Sequence, residues 1–336
     1  MKLGSLKEGG RDGTLIVVSR DLAHGVRASD IAPTLQAALD DWDNTAPRLR
    51  ALYDALCLHR HKAVQHAFEL DFNDLAAPLP RAYEFVDGSA YLPHVERVRK
   101  ARGAQVPESF YTDPLMYQAT SAGFLGPCDP VRVPSEDYGI DMEAEVVVVT
   151  DDVPMAVTPE AASDHIQLVG LVNDVSLRNL IPGELAKGFG FLQSKPRSAL
   201  SPVFVTPDEL REAWRDDKLH LPMRTWINGK WFGEADAGED MQFDFAQLVA
   251  HAAKTRPLTA GTIVGSGTIA NQDTSKGASC LAEQRTVETL RDGQPSTPFL
   301  KYGDLIKIEM LDKDGNSIFG AIEQRIEAPL AHEHKA

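Results

Sequence analysis

Short runs of β-branched and apolar residues, broken by turn-forming glycine, asparagine and aspartate, recur along most of this chain and predict a β-rich fold. Thr14-Leu-Ile-Val-Val-Ser19 reads as a strand of a small N-terminal sheet, and Asp30 as the N-cap of a helical stretch reaching Leu56. The proline-bearing segment Ala76–Phe85 reads as an extended connection. It divides the chain into a small N-terminal domain, 1–79, and a larger domain, 80–330. In the larger part Asn228-Gly229 separates Thr225-Trp-Ile from Lys-Trp-Phe232, and Asp314-Gly315-Asn316 separates Ile306–Leu311 from Ser317–Ile322. Both are hairpin signals. Helices look few, the clearest being Asp208–Trp214 and Phe245–Ala253, and His332–Ala336 reads as a frayed tail.

One strand pattern carries chemistry. In Ile140-Asp-Met-Glu-Ala-Glu-Val-Val-Val-Val149 the valines mark a buried strand, and on a strand side chains two apart share a face. Glu143 and Glu145 then point the same way and repel unless a cation or proton lies between them, which suggests an oxygen-ligand metal site. Two surface glutamates on a solvated strand end would give the same local pattern. Downstream, Leu171-Val-Asn-Asp-Val-Ser-Leu-Arg178 is an apolar strand ending in Asn173 and Asp174, where Asp174 either joins a carboxylate cluster or caps a helix. Lys195, at the end of Phe189-Gly-Phe-Leu-Gln-Ser-Lys195, either neutralises an oxyanion or is simply solvated. Upstream, Asp87 and His94 flank a turn within Phe85–Glu96, and a histidine is the default base near neutral pH.

Composition narrows the partners. A chain of 336 residues with 43% apolar content can bury a sizeable core. Its 34 basic and 49 acidic residues give a net charge of -15, which opposes nucleic acid or an anionic membrane as the main partner. An anionic substrate would need local cations. Lys187-Gly-Phe-Gly-Phe-Leu192 matches the aromatic motif of RNA-binding sheets, but neither a second aromatic strand nor a basic surface accompanies it. Cys57, Cys128 and Cys280 are far apart, form no CxxC pair, and read as reduced thiols of a cytoplasmic protein. The N-terminal residues lack the apolar region of a signal peptide, and no run of eighteen apolar residues suggests a membrane span.

Taken in order, Asp87 and His94, Glu143-Ala-Glu145, Asn173-Asp174 with Ser176 and Arg178, Lys195, and Gly265-Ser-Gly-Thr268 resemble the fumarylacetoacetate hydrolase family. The resemblance implies a β-rich α+β fold, with a mixed β-roll or barrel catalytic domain behind a small N-terminal domain, usually in a homodimer. It implies that Asp87, Glu143, Glu145 and Asp174 hold a divalent cation. Carboxylate ligands suit Mg²⁺ first, then Ca²⁺ or Mn²⁺. It further implies that His94, oriented by a glutamate, takes a proton from water, and that Lys195 stabilises a tetrahedral oxyanion. The family's orienting glutamate follows Ser-Met-Leu. Its counterpart here, Ser279-Cys-Leu-Ala-Glu283, is shifted by one residue; strict alignment gives Ala282, and Glu283 is the residue taken to orient His94.

Tyr117 matches a pocket tyrosine of the family, and Gly267-Thr268 a pair that contacts substrate. The implied reaction is hydrolysis of a carbon–carbon bond in a small anionic β-diketo acid, fumarylacetoacetate or a related acylpyruvate, in aromatic-compound catabolism. Decarboxylation, isomerisation or dehydration of a keto acid through an enolate at the same metal site is the alternative. Ser89, Ala199, Ile181 and Leu185 stand where the family's tyrosine-breakdown enzyme has tyrosine, threonine, glutamine and tyrosine, so the pocket polarity differs from that enzyme's.

Overall fold

A computed structural model describes residues 1–58, 64–101, 103 and 105–330. The terminal residues expected to fray lie outside them. The valine run is the spine of the fold: Ala144–Thr150 lies between Ile166–Asn173 and Ile263–Gly265, both antiparallel to it, and is buried throughout. Val146 and Val148 join one hydrophobic core, Val147 and Val149 another. A strand buried on both faces needs no polar alternation, which is why the run is unbroken valine.

From Ile263–Gly265 the sheet continues through the parallel strand Phe85–Gly88 to Met116–Gln118. In the other direction it passes through Phe204–Val205 to Lys2–Leu6, Thr14–Val18, His24–Arg27 and Phe68–Glu69. The N-terminal strands therefore do not make the separate small sheet expected from the sequence. Lys2 pairs with Val205 and Leu3 with Phe204, giving one twelve-stranded sheet. Lys2–Leu6 is buried along its length, so its second edge takes a protein partner in place of water.

The helical stretch expected from Asp30 starts later and is divided. Thr34 caps Leu35–Leu39, and the chain then turns into Trp42–Leu58. A second sheet runs Lys230–Asp236, Pro222–Ile227, Leu305–Met310, Ile322–Glu327 and Val131–Arg132. Asn228 and Gly229 form its turn with φ of 52° and 73°, the positive pair a two-residue hairpin requires. The other expected hairpin returns later than the sequence suggested. Ser317 makes one bridge to Leu311, Phe319 then drops into the core and its carbonyl accepts from the Val203 N–H, and pairing resumes at Ile322.

Phe245–Ala252 is helical, with Asp244 and Gln247 forming a capping box. The helix expected over Asp208–Trp214 is instead a 3-10 segment, Pro207–Ala213, broken at Arg211, where φ is 52° and ψ is -132°. Here Glu209 is drawn onto Arg20 and the Tyr53 hydroxyl, and tertiary ties override helix propensity. Leu92–Ala101 and Leu281–Asp292 are helices that the β-dominated pattern did not predict.

Close packing around the valine strand yields a stability test. Gly170 pairs with Val147, and a Cβ there would lie 2.1 Å from the ring of Phe204, which is fully buried and cannot move aside. Gly170→Ala should destabilise the protein by about 1–3 kcal/mol in urea unfolding, without altering the residues of the candidate site.

Candidate functional site

Three strands converge on one group of carboxyls. Asp87 comes from Phe85–Gly88, Glu145 from the valine strand, and Asp174 directly follows Ile166–Asn173. Carboxylate oxygens of Asp87, Glu145 and Asp174 all lie within 4.8 Å of one another, and all three residues are buried. Gly265 sits beside Asp87, where a Cβ would come within 2.1 Å of Asp87 Oδ1, so glycine leaves room for the carboxyl. The Gly267 N–H donates to the same oxygen at 3.2 Å.

Such a group cannot carry full negative charge without a counter-ion. Burial, followed by the charge of Asp174, pushes Asp87 up to about 8. Burial and the charge of Asp87 raise Glu145 far above the usual carboxylate range, and burial raises Asp174 in spite of Lys195. Both oxygens of Glu145 are buried, and among the described residues no N–H or hydroxyl donates to them, which leaves only a proton shared with Asp87. An orphan carboxylate is costly, and a hard divalent cation is the partner that an all-oxygen group of this size accepts. Asp174 thus joins the carboxylate cluster and is not a helix cap.

Glu143, the fourth residue of the expected ligand set, is not brought into this group. Its Oε1 accepts from Arg178 Nη2 at 2.6 Å and its Oε2 from Lys195 Nζ at 2.6 Å. Burial would raise Glu143, but Arg178 and Lys195 more than offset it and hold the carboxyl well below its usual range. Lys195 Nζ also donates to Asp174 Oδ2 at 2.6 Å and to Ser176 Oγ at 2.8 Å. Its three N–H groups are therefore all engaged, and it stands as a fixed charge between Glu143 and Asp174. Tyr117, expected to touch substrate, donates its hydroxyl to Asp174 Oδ2 at 2.5 Å and packs edge-on against Phe191. Thr268 follows Gly267 and is buried.

His94 does not flank a turn. It occupies the first turn of Leu92–Ala101, and its Nδ1 lies 2.5 Å from Oε2 of Glu283. The structure thus brings His94 to Glu283, in the first turn of Leu281–Asp292. Burial would raise the Glu283 carboxyl, but His94 and Arg97 more than offset it and hold it low. An ionised carboxylate only accepts, so Nδ1 carries a proton and donates it, and in the neutral form of the ring Nε2 is left as an acceptor.

Sequence reasoning missed Arg97 and Asp141. Arg97 donates to the other oxygen of Glu283. Asp141 accepts the N–H groups of Leu281 and Ala282 at 2.7 and 2.9 Å, and Arg178 Nε at 2.8 Å. It ties the start of the Glu283 helix to the Arg178–Glu143–Lys195–Asp174 chain. Cys280, the N-cap, bridges Glu143 through the backbone. A proline in the first turn and Arg99 and Lys100 in the last were the available signals for the His94 helix.

Buried carboxyls grouped as a cation would need, linked through Arg178 and Asp141 to the helix whose glutamate holds an imidazole, are the parts that a metal-dependent acid–base enzyme site requires. The chain belongs to the fumarylacetoacetate hydrolase family: residues 84–327 match its fumarylacetoacetate hydrolase C-terminal model, and residues 1–81 its fumarylacetoacetase N-terminal domain 2. It is an enzyme of that superfamily with the family's β-rich mixed α/β fold and small N-terminal domain.

Among its relatives, the mitochondrial oxaloacetate tautomerase fahd2 of Xenopus laevis is 26% identical over 209 residues, covering 61% of this chain and 60% of that protein. Oxaloacetate tautomerase YisK of Bacillus subtilis is 26% identical, covering 58% and 61%. A 2,4-didehydro-3-deoxy-L-rhamnonate hydrolase of Sphingomonas sp. is 28% identical, covering 47% and 53%. Each match spans less than two thirds of the relative's own length. Fumarylacetoacetate hydrolase of Exiguobacterium antarcticum shares the fold at a TM-score of 0.64 and 18% identity. Maleylpyruvate hydrolase of Sphingobium sp. SYK-6, solved with manganese(II) and pyruvate, shares it at 0.64 and 16%. Both superpositions cover 98% of this chain and 100% of the other. No helix among the described residues is long and apolar enough to cross a membrane.

Without metal, burial and mutual repulsion make the Asp87–Glu145 pair hold a proton well above the ordinary carboxylate range, with Asp87 pushed from 3.8 up to about 8. The fold binds the extra proton between those values, so metal-free stability should fall as pH rises through that window. A bound cation takes the proton's place. At a fixed ion concentration its stabilisation should grow from about pH 6 to about pH 8.5, reaching roughly 3–5 °C in Tm where that concentration is one hundred times Kd. Calorimetric unfolding with and without Mn²⁺ checks this, and a gain equal at both pH values would count against the site.

Proposed function

We propose that this protein is a divalent-cation-dependent hydrolase that cleaves the carbon–carbon bond of a small anionic β-diketo acid, fumarylacetoacetate or a related acylpyruvate. The observation that carries this reading is the His94–Glu283 pair, joined through Asp141 and Arg178 to the carboxylate group. Asp87, Glu145 and Asp174 would hold the cation, Mg²⁺ or Mn²⁺ by the chemistry of the donors. When bound, the ion would act as a Lewis acid towards the oxygens of a dicarbonyl.

The chain's own residues supply the rest. With Nδ1–H given to Glu283, His94 offers Nε2 to take a proton from water as the water attacks the carbonyl, and to return it to the departing carbon. Lys195 and Arg178 sit as fixed cations on Glu143 and would offset part of the negative charge of an anionic substrate. Lys195 would stabilise an oxyanion by its field, because its N–H groups are already spent on protein oxygens.

A second reading, keto–enol isomerisation of a small keto acid, is favoured by the two relatives named oxaloacetate tautomerases. It needs proton transfer at carbon but no attacking water. The test is turnover of acylpyruvates, fumarylacetoacetate and oxaloacetate with Mg²⁺ or Mn²⁺, followed by loss of enol absorbance and by product analysis. Two carboxylic acids from a diketo acid are expected. Fast interconversion of oxaloacetate forms with every diketo acid left intact would replace hydrolysis by isomerisation.

Substitutions separate the parts. His94→Ala should lower kcat by about 10²–10⁴ with the affinity for Mn²⁺ unchanged in calorimetry. Glu145→Gln should weaken both ion binding and turnover. Near-normal rates for His94→Ala would remove it as the base.

A further inference from the structure

We propose that Arg97 is the positioning residue of the acid–base pair: it fixes the Glu283 carboxylate so that His94 is held by Nδ1 and presents Nε2. What the pair is for rests on the proposed function. The geometry of the clamp stands without it.

His94 and Arg97 are three residues apart on Leu92–Ala101, so both project from one face of that helix. They divide a single carboxylate between them: the His94 Nδ1–H donates to Oε2 of Glu283, and Arg97 Nη1 donates to Oε1. Any rotation of that carboxylate breaks both bonds. Arg97 Nη2 donates to the backbone carbonyls of Asn271, at 2.5 Å, and Gln272, at 2.9 Å.

Those carbonyls belong to a segment that is itself held. The buried Asn271 side chain accepts the Asp236 N–H and donates to the carbonyls of Asp236 and Glu239, while the Gln272 N–H donates to Asp240. One guanidinium therefore fastens the His94 helix and the Glu283 helix to a fixed loop that follows Gly267 and Thr268. A planar fork with donors at two ends can do this, whereas an ammonium offers a point charge without the fork.

The charge matters as well as the shape. Arg97 balances Glu283, so the carboxylate can orient the ring without requiring a protonated imidazole as its partner. Arg97 is not placed to recognise substrate, because both its Nη atoms are committed to protein oxygens and its side chain is 13% exposed.

The decisive experiment uses the ring ¹⁵N shifts of His94, which report its tautomer and need no substrate. The full-length protein should show the Nδ1–H form. Arg97→Ala should lose that form in favour of a mixture, with Mn²⁺ affinity in calorimetry changed by less than about 3-fold, since the Asp87, Glu145 and Asp174 group is untouched. With a substrate found active, kcat should fall roughly 10–100-fold with KM nearly unchanged, because only the orientation of the base is lost. Added guanidinium ion should restore part of the rate to Arg97→Ala, and Arg97→Lys should recover less than the native arginine.

An unchanged tautomer in Arg97→Ala would overturn the proposal. So would a rise in KM with kcat intact, which would make Arg97 a substrate contact. If Arg97→Ala does not fold, Arg97→Gln, which keeps a donor for the carbonyls but not the charge, is read by the same shifts. If no diketo or keto acid is turned over by the native protein, the proposed function fails while the tautomer measurement still decides the role of Arg97.

Discussion

Five carboxyls buried beside two cations form the constraint on which this structure depends. Asp87, Asp141, Glu143, Glu145 and Asp174 are all buried, and Lys195 and Arg178 are the cations that contact them among the described residues. Uncompensated charge is far too costly in such a place, so each carboxyl must take a proton, a hydrogen-bond donor or a cation. The protein answers differently at each one. Glu143 receives the two fixed cations and Asp141 receives two helix N–H groups with Arg178. Asp87 and Glu145 are left to share a proton or to take an ion, because among the described residues no N–H or hydroxyl donates to the Glu145 oxygens.

Holding that arrangement demands a stiff frame. The valine strand supplies it, because with both faces packed into separate cores the strand has no freedom to relax away from the charges it carries. Glycines do complementary work at two positions. Gly265 makes room for the Asp87 carboxyl, and Gly267, at a φ of 77°, turns its N–H towards it where a side chain would strike the Gly88 carbonyl. The helix bearing Glu283 starts from Cys280, in a backbone bridge with Glu143, and is capped through Asp141. The cation group and the acid–base pair are thus ends of one hydrogen-bonded system. The Asp141, Arg178, Glu143 and Lys195 side chains and the backbone bridge at Cys280 together fix the two ends relative to each other.

Particular residues show what could be read without the fold. The period of two in Glu143-Ala-Glu145 and the valines after it gave a buried strand with carboxyls on it, and the order of Asp87, Asp174 and Lys195 along the chain gave their company. The shifted Ser-Cys-Leu-Ala-Glu283 motif favoured Glu283 over Ala282, because of the two only Glu283 has a side chain that can accept from an imidazole; the structure places it on His94. Helix signals were present but outweighed. Pro93 lies in the first turn of the His94 helix, and Gly293 follows the Glu283 helix at a φ of 84°. The break at Arg211 had no local signature, since the pull of Arg20 and Tyr53 on Glu209 comes from residues more than 150 positions away.

By itself the sequence determined where the main strands run and which way their side chains alternate, and it singled out the carboxyls, the histidine and the lysine as candidates for chemistry. Those properties are local, set by β-branching, the two-residue repeat and the ionisation of each side chain. Only the tertiary structure decided who partners whom. Glu143 and Glu145 leave the backbone two residues apart, yet one meets Arg178 and Lys195 and the other meets Asp87 and Asp174. That allotment depends on sheet register and on two helices docking across 189 residues of chain between His94 and Glu283. Arg97 becomes visible only when they meet, because its acceptors do not exist until the chain has closed around them.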